Sequence, residues 1–196
     1  MTTRLDHRII CDFVGSGQNV LDLGCGDGAL MSLLAREKEA RVQGIELDDE
    51  AIHQCVAKGL TVFQGDIESG LVDYPDGSFD VVILNQSMQE VKKVDFVIRE
   101  SLRVGRRVIV GFPNFAHVRA RISLFFLGKT PMTESLPYYW YETPNVRFLS
   151  IRDFETYCRS KGMRIVDARF TSNGRIIRFW PNLRARNAIY VLTGPL

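Results

Sequence analysis

The sequence predicts a doubly wound α/β fold: a mostly parallel, seven-stranded sheet with helices on both faces. Three observations predict it. Apolar runs of strand length alternate with amphipathic stretches, each unit about 20–25 residues long, as in a parallel sheet with right-handed crossovers. The first run passes through Gly24-Cys25-Gly26-Asp27-Gly28 into a helical stretch, which brings backbone close to a nucleotide-like ligand. Gly24, Glu46, Asp66 and Asn85 all fall at the carboxyl ends of the first four strands, where open α/β sheets bind ligands.

Taken in order, Leu5, Ile9 and Phe13 recur at i, i+4 and i+8 and mark an amphipathic helix stopped by Gly15-Ser16-Gly17. Arg4, Asp6 and His7 stand at its start, and His7 is expected to face solvent; contact with a ligand is the alternative. Val20, Leu21 and Leu23 form strand one. The helix from Ala29 to Lys38 buries Leu30, Leu33 and Leu34. Arg41 to Leu47 is strand two, with Glu46 at its carboxyl end. Asp48 or Asp49 caps a helix running to Lys58 and closed by Gly59. His53 on that helix is expected at the surface. Leu60 to Gly65 is strand three, followed directly by Asp66. Tyr74 to Ser78 is a turn. Phe79 to Leu84 is strand four, and Asn85 opens the next loop. Val94 to Val104 is a helix closed by Gly105, and Arg107 to Phe112 is strand five.

The second half departs from a minimal sheet. Phe115 to Leu127 reads as one helix with a Val118, Ile122, Phe126 stripe. Thr130 to Asn145 holds three prolines and four consecutive aromatics, Tyr138 to Tyr141, and fits neither period. It is expected to be a lid or partner surface; an aromatic plug packed beneath the loop is the alternative. Ser150 and Asp153 form a capping-box-like start for a helix to Lys161. Met163 to Phe170 and Ala188 to Thr193 are the last two strands. Between them, residues 173–187 carry Arg175, Arg178, Arg184 and Arg186 with Phe179 and Trp180, a second candidate contact surface. The chain is expected to be one domain, 1–196, elaborated at about 115–149 and 173–187.

The glycine loop admits two ligands. Gly24, Gly26 and Ala29 also fit the dinucleotide spacing G-x-G-x-x-G/A, and Glu46 stands where a ribose-binding acid belongs. Charge separates the two. Asp22 precedes the turn and Asp27 lies in it, and carboxylates repel a pyrophosphate. S-adenosylmethionine carries a sulfonium, an ammonium and one carboxylate but no phosphate, so acids beside its methionine part attract it. The acidic loop therefore favours S-adenosylmethionine, or its product S-adenosylhomocysteine, over NAD.

Composition sets the class. Of 196 residues, 45% are hydrophobic and 24% charged, as in soluble globular proteins. No apolar run reaches the 18 or more residues of a membrane span, and the N-terminus lacks the pattern of a signal peptide. Cys11, Cys25, Cys55 and Cys158 are scattered and show no metal-binding spacing. Free thiols in a cytoplasm are expected, with no membrane partner and no metal. Net charge is +2, but residues 1–98 hold 8 Lys and Arg against 17 Asp and Glu, and residues 99–196 hold 17 against 6. This asymmetry points to a charged partner on the C-terminal side or to complementarity within the sheet. The arginines are dispersed, so nucleic acid is not the expected partner. Self-association is left open.

Asp22-Leu23-Gly24-Cys25-Gly26-Asp27-Gly28 resembles the first motif of class I S-adenosylmethionine-dependent methyltransferases. The resemblance implies that fold with the last strand antiparallel, with Asp66 accepting from the adenine amino group and Ile67 packing on the ring. The cofactor set it implies is Asp22, Gly24, Cys25, Gly26, Asp27, Glu46, Leu47, Asp66, Ile67 and Asn85. A narrower resemblance covers nearly the whole chain: LDLGCGDGAL, FPNFAHVRARISLFFLGKTP and LPYYWYETPNVRFLSIRDFE are similar to the MetW family of methionine biosynthesis proteins. It implies an accessory or regulatory subunit of a homoserine O-acyltransferase. The alternative is a methyltransferase acting on a small molecule or RNA. Asn85-Gln86-Ser87-Met88 is not the Asn-Pro-Pro-aromatic motif of nitrogen methylation, and His7, His53 and His117 have no catalytic motif around them. No catalytic residue is assigned. Methyl transfer can still rest on alignment, because the sulfonium is already activated.

Overall fold

The computed structural model describes residues 4–132 and 137–194. They form one sheet of eight strands: β1 Asn19–Leu23, β2 Arg41–Glu46, β3 Thr61–Gln64, β4 Phe79–Asn85, β5 Gly105–Pro113, β6 Arg164–Ser172, β7 Arg175–Ile176 and β8 Asn187–Thr193. The spatial order is β3-β2-β1-β4-β5-β8-β6-β7. The first five strands pair in parallel. β8, the last, inserts antiparallel between β5 and β6.

The strand count corrects the expected seven. The added strand, β7, pairs with the end of β6 through Thr171–Ile176 and Ser172–Arg175. Asn173 and Gly174 make the turn, both with positive φ. Asn-Gly is the preferred pair for a two-residue hairpin because its backbone twist matches that of the flanking strands. That dipeptide was the available signal.

Alternation along the central strands divides the core. Val81, Ile83, Ile109, Ile189 and Val191 pack with residues of α1 (Leu5–Phe13) and α2 (Ala29–Lys38). Val82, Leu84, Val108, Val110 and Leu192 pack with those of α4 (Val94–Val104) and α6 (Ile151–Ser160). Successive side chains point to opposite faces, so a strand covered on both sides must be apolar throughout. Fully burying each such side chain is worth about 1.5–3 kcal/mol. α3 (Asp49–Ala57) starts at Asp48, whose carboxylate accepts the Ala51 N–H at 2.8 Å. The capping box of α6 is present, with Ser150 and Asp153 bonded reciprocally.

The helix expected over 115–127 is different. α5 covers only Val118–Ile122, and Ser123–Leu127 continues as a π-helix. Ile122 and Phe126 of the expected stripe stand exposed. Of the stretch 130–145, residues 133–136 lie outside the described residues. Tyr138 to Tyr141 are exposed, and Tyr139 and Tyr141 stack with centroids 5.4 Å apart. Trp140 meets Tyr141 edge to face at 5.5 Å, so these three rings pair with one another at the surface and do not plug a core. α7 (Pro181–Arg184) follows Trp180, which adopts positive φ.

Candidate cofactor site

The site grows from the end of β1. Gly24 N and Cys25 N both donate to Ile45 O, at 2.8 and 3.3 Å, folding the glycine loop against β2. Gly26 N donates to Glu46 Oε2 at 2.7 Å. Glu46 Oε1 accepts from Leu47 N at 2.8 Å and Asp48 N at 3.1 Å. One carboxylate thus holds the loop and starts the turn into α3. A carboxylate has about four acceptor directions, so about one is left for a ligand. Gly24 has φ +72°, and a Cβ there would lie 2.8 Å from Ser87 Cβ. Gly26 has φ +53°, and a Cβ there would meet nothing within 4 Å.

Two cavities meet at Gly24. The first, about 370 Å³, is lined by Gly24, Ile45, Glu46, Leu47, Gly65, Asp66, Ile67, Glu68, Ser87, Glu90, Val91 and Lys92. Apolar walls from Leu47, Ile67 and Val91 flank the carboxylates of Glu46 and Asp66. That combination takes a flat ring with donor groups at its edge. Asp66 also caps the 3-10 turn Ile67–Ser69, accepting from Glu68 N at 2.8 Å. Glu68 in turn accepts from Lys92 N at 2.8 Å and Lys93 N at 3.2 Å, drawing the two rims together.

The second cavity, about 210 Å³, is lined by Arg4, His7, Asp22, Gly24, Cys25, Gly26, Asp27, Leu30, Asn85 and Gln86. Asp22 is buried; burial first, then the charge of Glu46, pushes its carboxyl up to about 7. Burial pushes Asp27 up most, but the bond and charge of Lys58, the Ala29 N–H and the charge of His7 together outweigh it and hold the carboxyl below its usual range. Burial pushes the Cys25 thiol up, then Asp22 adds to it, so this cysteine is no nucleophile. A negative wall beside an exposed backbone loop suits a cationic ligand group.

All ten expected residues therefore line one or other cavity. His7 corrects the surface expectation: it is buried in the second cavity, and burial lowers its pKa. The reason is a tether. Arg4 pairs with Asp6, and Asp6 accepts from Asn85 Nδ2 at 3.1 Å, which draws the first turn of α1 across the end of β4. Arg4, Gln86, Ser87, Glu90, Val91 and Lys92 were not singled out for the site. Only the proximity of Ser87 to Asn85 offered a signal. Gln86 holds positive φ at the end of β4, a strained position beside the cavity. Among the described residues, no group of three or more His, Cys, Asp or Glu is placed to hold a metal, and no helix is long and apolar enough to cross a membrane.

The family model described as "Methionine biosynthesis protein MetW" matches residues 4–192. The chain belongs to the MetW family. A bifunctional methionine biosynthesis protein MetXA/MetW from Rhodopirellula baltica is 35% identical over 162 residues, 78% of this chain and 26% of the relative. A ribosomal protein L11 methyltransferase from Burkholderia mallei is 33% identical over 108 residues, 55% of this chain and 36% of the relative. This MetW-family chain thus spans between a quarter and about two fifths of the length of these relatives. Among solved structures, a SAM-dependent methyltransferase from Archaeoglobus fulgidus superposes with TM-score 0.72 at 14% identity, covering 95% of this chain and 90% of that one. At that identity the likeness establishes the fold, which is Rossmann-like and of the S-adenosylmethionine-dependent methyltransferase type.

Proposed function

We propose that this MetW-family chain binds S-adenosylmethionine or S-adenosylhomocysteine and serves, in the cytoplasm, as an accessory subunit of a homoserine O-acyltransferase. The observation that carries the binding part is the pair of cavities meeting at Gly24, with acids in both. The residues fit that cofactor. Gly26 faces open space within the second cavity, so a side chain there would fill the cradle and not clash with protein. Glu46 keeps an acceptor for a ribose hydroxyl, and Asp66 stands where an adenine amino group would donate. Leu47 and Ile67 would flank the ring. Asp22 would meet the ammonium, and Arg4 the carboxylate. When bound, S-adenosylmethionine supplies an activated methyl group.

Two observations support the accessory reading. The Rhodopirellula baltica relative is named for MetXA and MetW together, and two functions on one chain support physical partnership. The carboxyl ends of β4 and β5 are also roofed. Val146 N and Arg147 N both donate to Gln89 O at 3.0 Å, and Phe115 N donates to Leu149 O at 3.0 Å. A methyl acceptor entering from that side would have to displace this strap.

One observation favours the second reading, methyl transfer to a small molecule or RNA. His7 lines the second cavity, where burial lowers its pKa, and its imidazole could take a proton from an acceptor there.

Titration calorimetry with S-adenosylmethionine, S-adenosylhomocysteine and NAD tests the ligand; tight NAD binding with no response to the other two would overturn it. Co-purification with the acyltransferase, set beside radiolabelled methyl transfer to a cell extract, separates the two readings.

A further inference from the structure

The second half holds two acid-free segments. Residues 115–132 and 173–187 together carry seven Lys and Arg and no Asp or Glu. The structure brings them side by side: Arg121 of α5 reaches Asn182 O of α7 at 3.5 Å. Between them, closed by α6, lies a groove of about 460 Å³, with Arg121 and Arg152 on its walls and Trp180, Pro181 and Leu183 along one side; Glu155 also lines it, its carboxylate accepting from the Tyr190 hydroxyl at 3.0 Å.

Apolar side chains stand beside that groove. One turn beyond Arg121, Phe125 is 82% exposed and Phe126 73% exposed, and their rings meet edge to face at 4.8 Å. Trp180 is 76% exposed and held in the left-handed region at φ +50°. A π-helix displaying consecutive exposed aromatics and a strained backbone displaying an indole both oppose the stability of an isolated chain. Such features persist where something covers them.

We infer that this knob and groove form the docking surface for a carboxylate-bearing face of the acyltransferase, with Phe125 and Phe126 entering an apolar pocket of the partner. The inference rests on the accessory-subunit reading above. Charge sets the partner's sign, because the groove holds Arg121 and Arg152 against the one carboxylate of Glu155 and the two segments beside it carry no acid, so the partner must offer carboxylates. Shape separates a protein from a lipid surface. A bilayer could accept the phenylalanines, but it would leave a concave groove with arginine walls unfilled, whereas a protein segment fills it. Tyr, Trp, Phe and Arg are the residue types that anchor such interfaces.

The test titrates the purified full-length chain with the purified homoserine O-acyltransferase of the same cell, at low and high salt. Two variants are compared with wild type: Phe125→Ser with Phe126→Ser, and Arg152→Glu with Trp180→Ala. All four side chains are exposed, so both variants should fold and bind S-adenosylmethionine as wild type. Each should weaken the complex about tenfold or more, the loss expected of hot-spot residues. The arginine variant should also flatten the salt dependence. If the wild-type chain does not bind the acyltransferase, the accessory reading fails and this surface with it. If wild type binds and both variants bind equally well, the surface alone is wrong. It is also wrong if the phenylalanine variant keeps the complex but loses binding to phosphatidylglycerol vesicles, or changes only self-association of the chain.

Discussion

The Glu46 carboxylate accepts the backbone N–H of Gly26 at 2.7 Å, across 20 residues of chain. The acid at the end of β2 therefore builds the glycine loop at the end of β1 before any ligand arrives. Glu46→Ala removes both the proposed ligand contact and the acceptor of three backbone N–H groups, those of Gly26, Leu47 and Asp48. S-adenosylmethionine affinity should fall by about 1.5–3 kcal/mol, the range for a hydrogen bond to a charged group. Glu46→Gln keeps one acceptor oxygen and should lose less. Calorimetry of both variants checks this; equal affinity for wild type and a folded Glu46→Ala protein would remove Glu46 from the site.

Gly24 and Gly26 should respond differently to a side chain. At Gly24 a Cβ meets Ser87 Cβ at 2.8 Å, and Ser87 is itself fixed by its bond to Leu23 O at 2.8 Å. Gly24→Val should abolish ligand binding and lower stability. At Gly26 only the positive φ resists, costing roughly 1–2 kcal/mol. Gly26→Ala should stay folded and still bind poorly, because the methyl enters the cavity. Melting temperature and ligand titration on both variants separate clash from occlusion.

Asp22 makes stability depend on pH. Its carboxyl titrates at about 7 in the folded chain against 3.8 ordinarily. The folded state therefore holds a proton that the unfolded state gives up. Asp22's contribution is fully present below about pH 4 and lost as pH rises through about 7. Urea unfolding of the ligand-free chain at pH 5 and pH 8 should show that loss, and Asp22→Asn should reduce it. An ammonium beside Asp22 favours the carboxylate, so S-adenosylmethionine should bind more tightly as pH rises towards 7, with proton release. Calorimetry in buffers of different ionisation enthalpy reads that proton; no release at pH 6 would place the ammonium elsewhere.

Ser150 tests the entry to α6. Its Oγ accepts from Asp153 N at 3.2 Å, and Asp153 accepts from Ser150 N at 2.9 Å. Ser150→Ala should cost about 1 kcal/mol, as loss of an N-cap does. Chemical denaturation measures it. An unchanged midpoint would mean that the bonds from the residue-150 N–H to Asp153 and from Ile151 N to Asn114 suffice to hold this helix start.

Much of the fold was legible because its signals are local. The run Phe79 to Leu84 and the stop at Gly105 lie within single elements, and period and caps identify such elements. The same holds for the cofactor loop, where three glycines and two acids stand within seven residues. β7 was missed because two residues show no period, although Asn173-Gly174 marked its turn. The helix over 115–127 was misread because π winding changes the residues per turn without any change of composition.

By itself, the amino-acid sequence determined the strand–loop–helix order and which acids end which strands, since both follow from neighbours along the chain. Tertiary structure alone decided the rest. Arg4 and His7 enter the second cavity only because Asp6 meets Asn85, 79 residues away. Glu46 became a builder of the glycine loop, and Arg121 and Trp180 came to line one groove, through contacts between distant segments. Such contacts depend on how layers pack against the sheet, and no spacing within either segment encodes them.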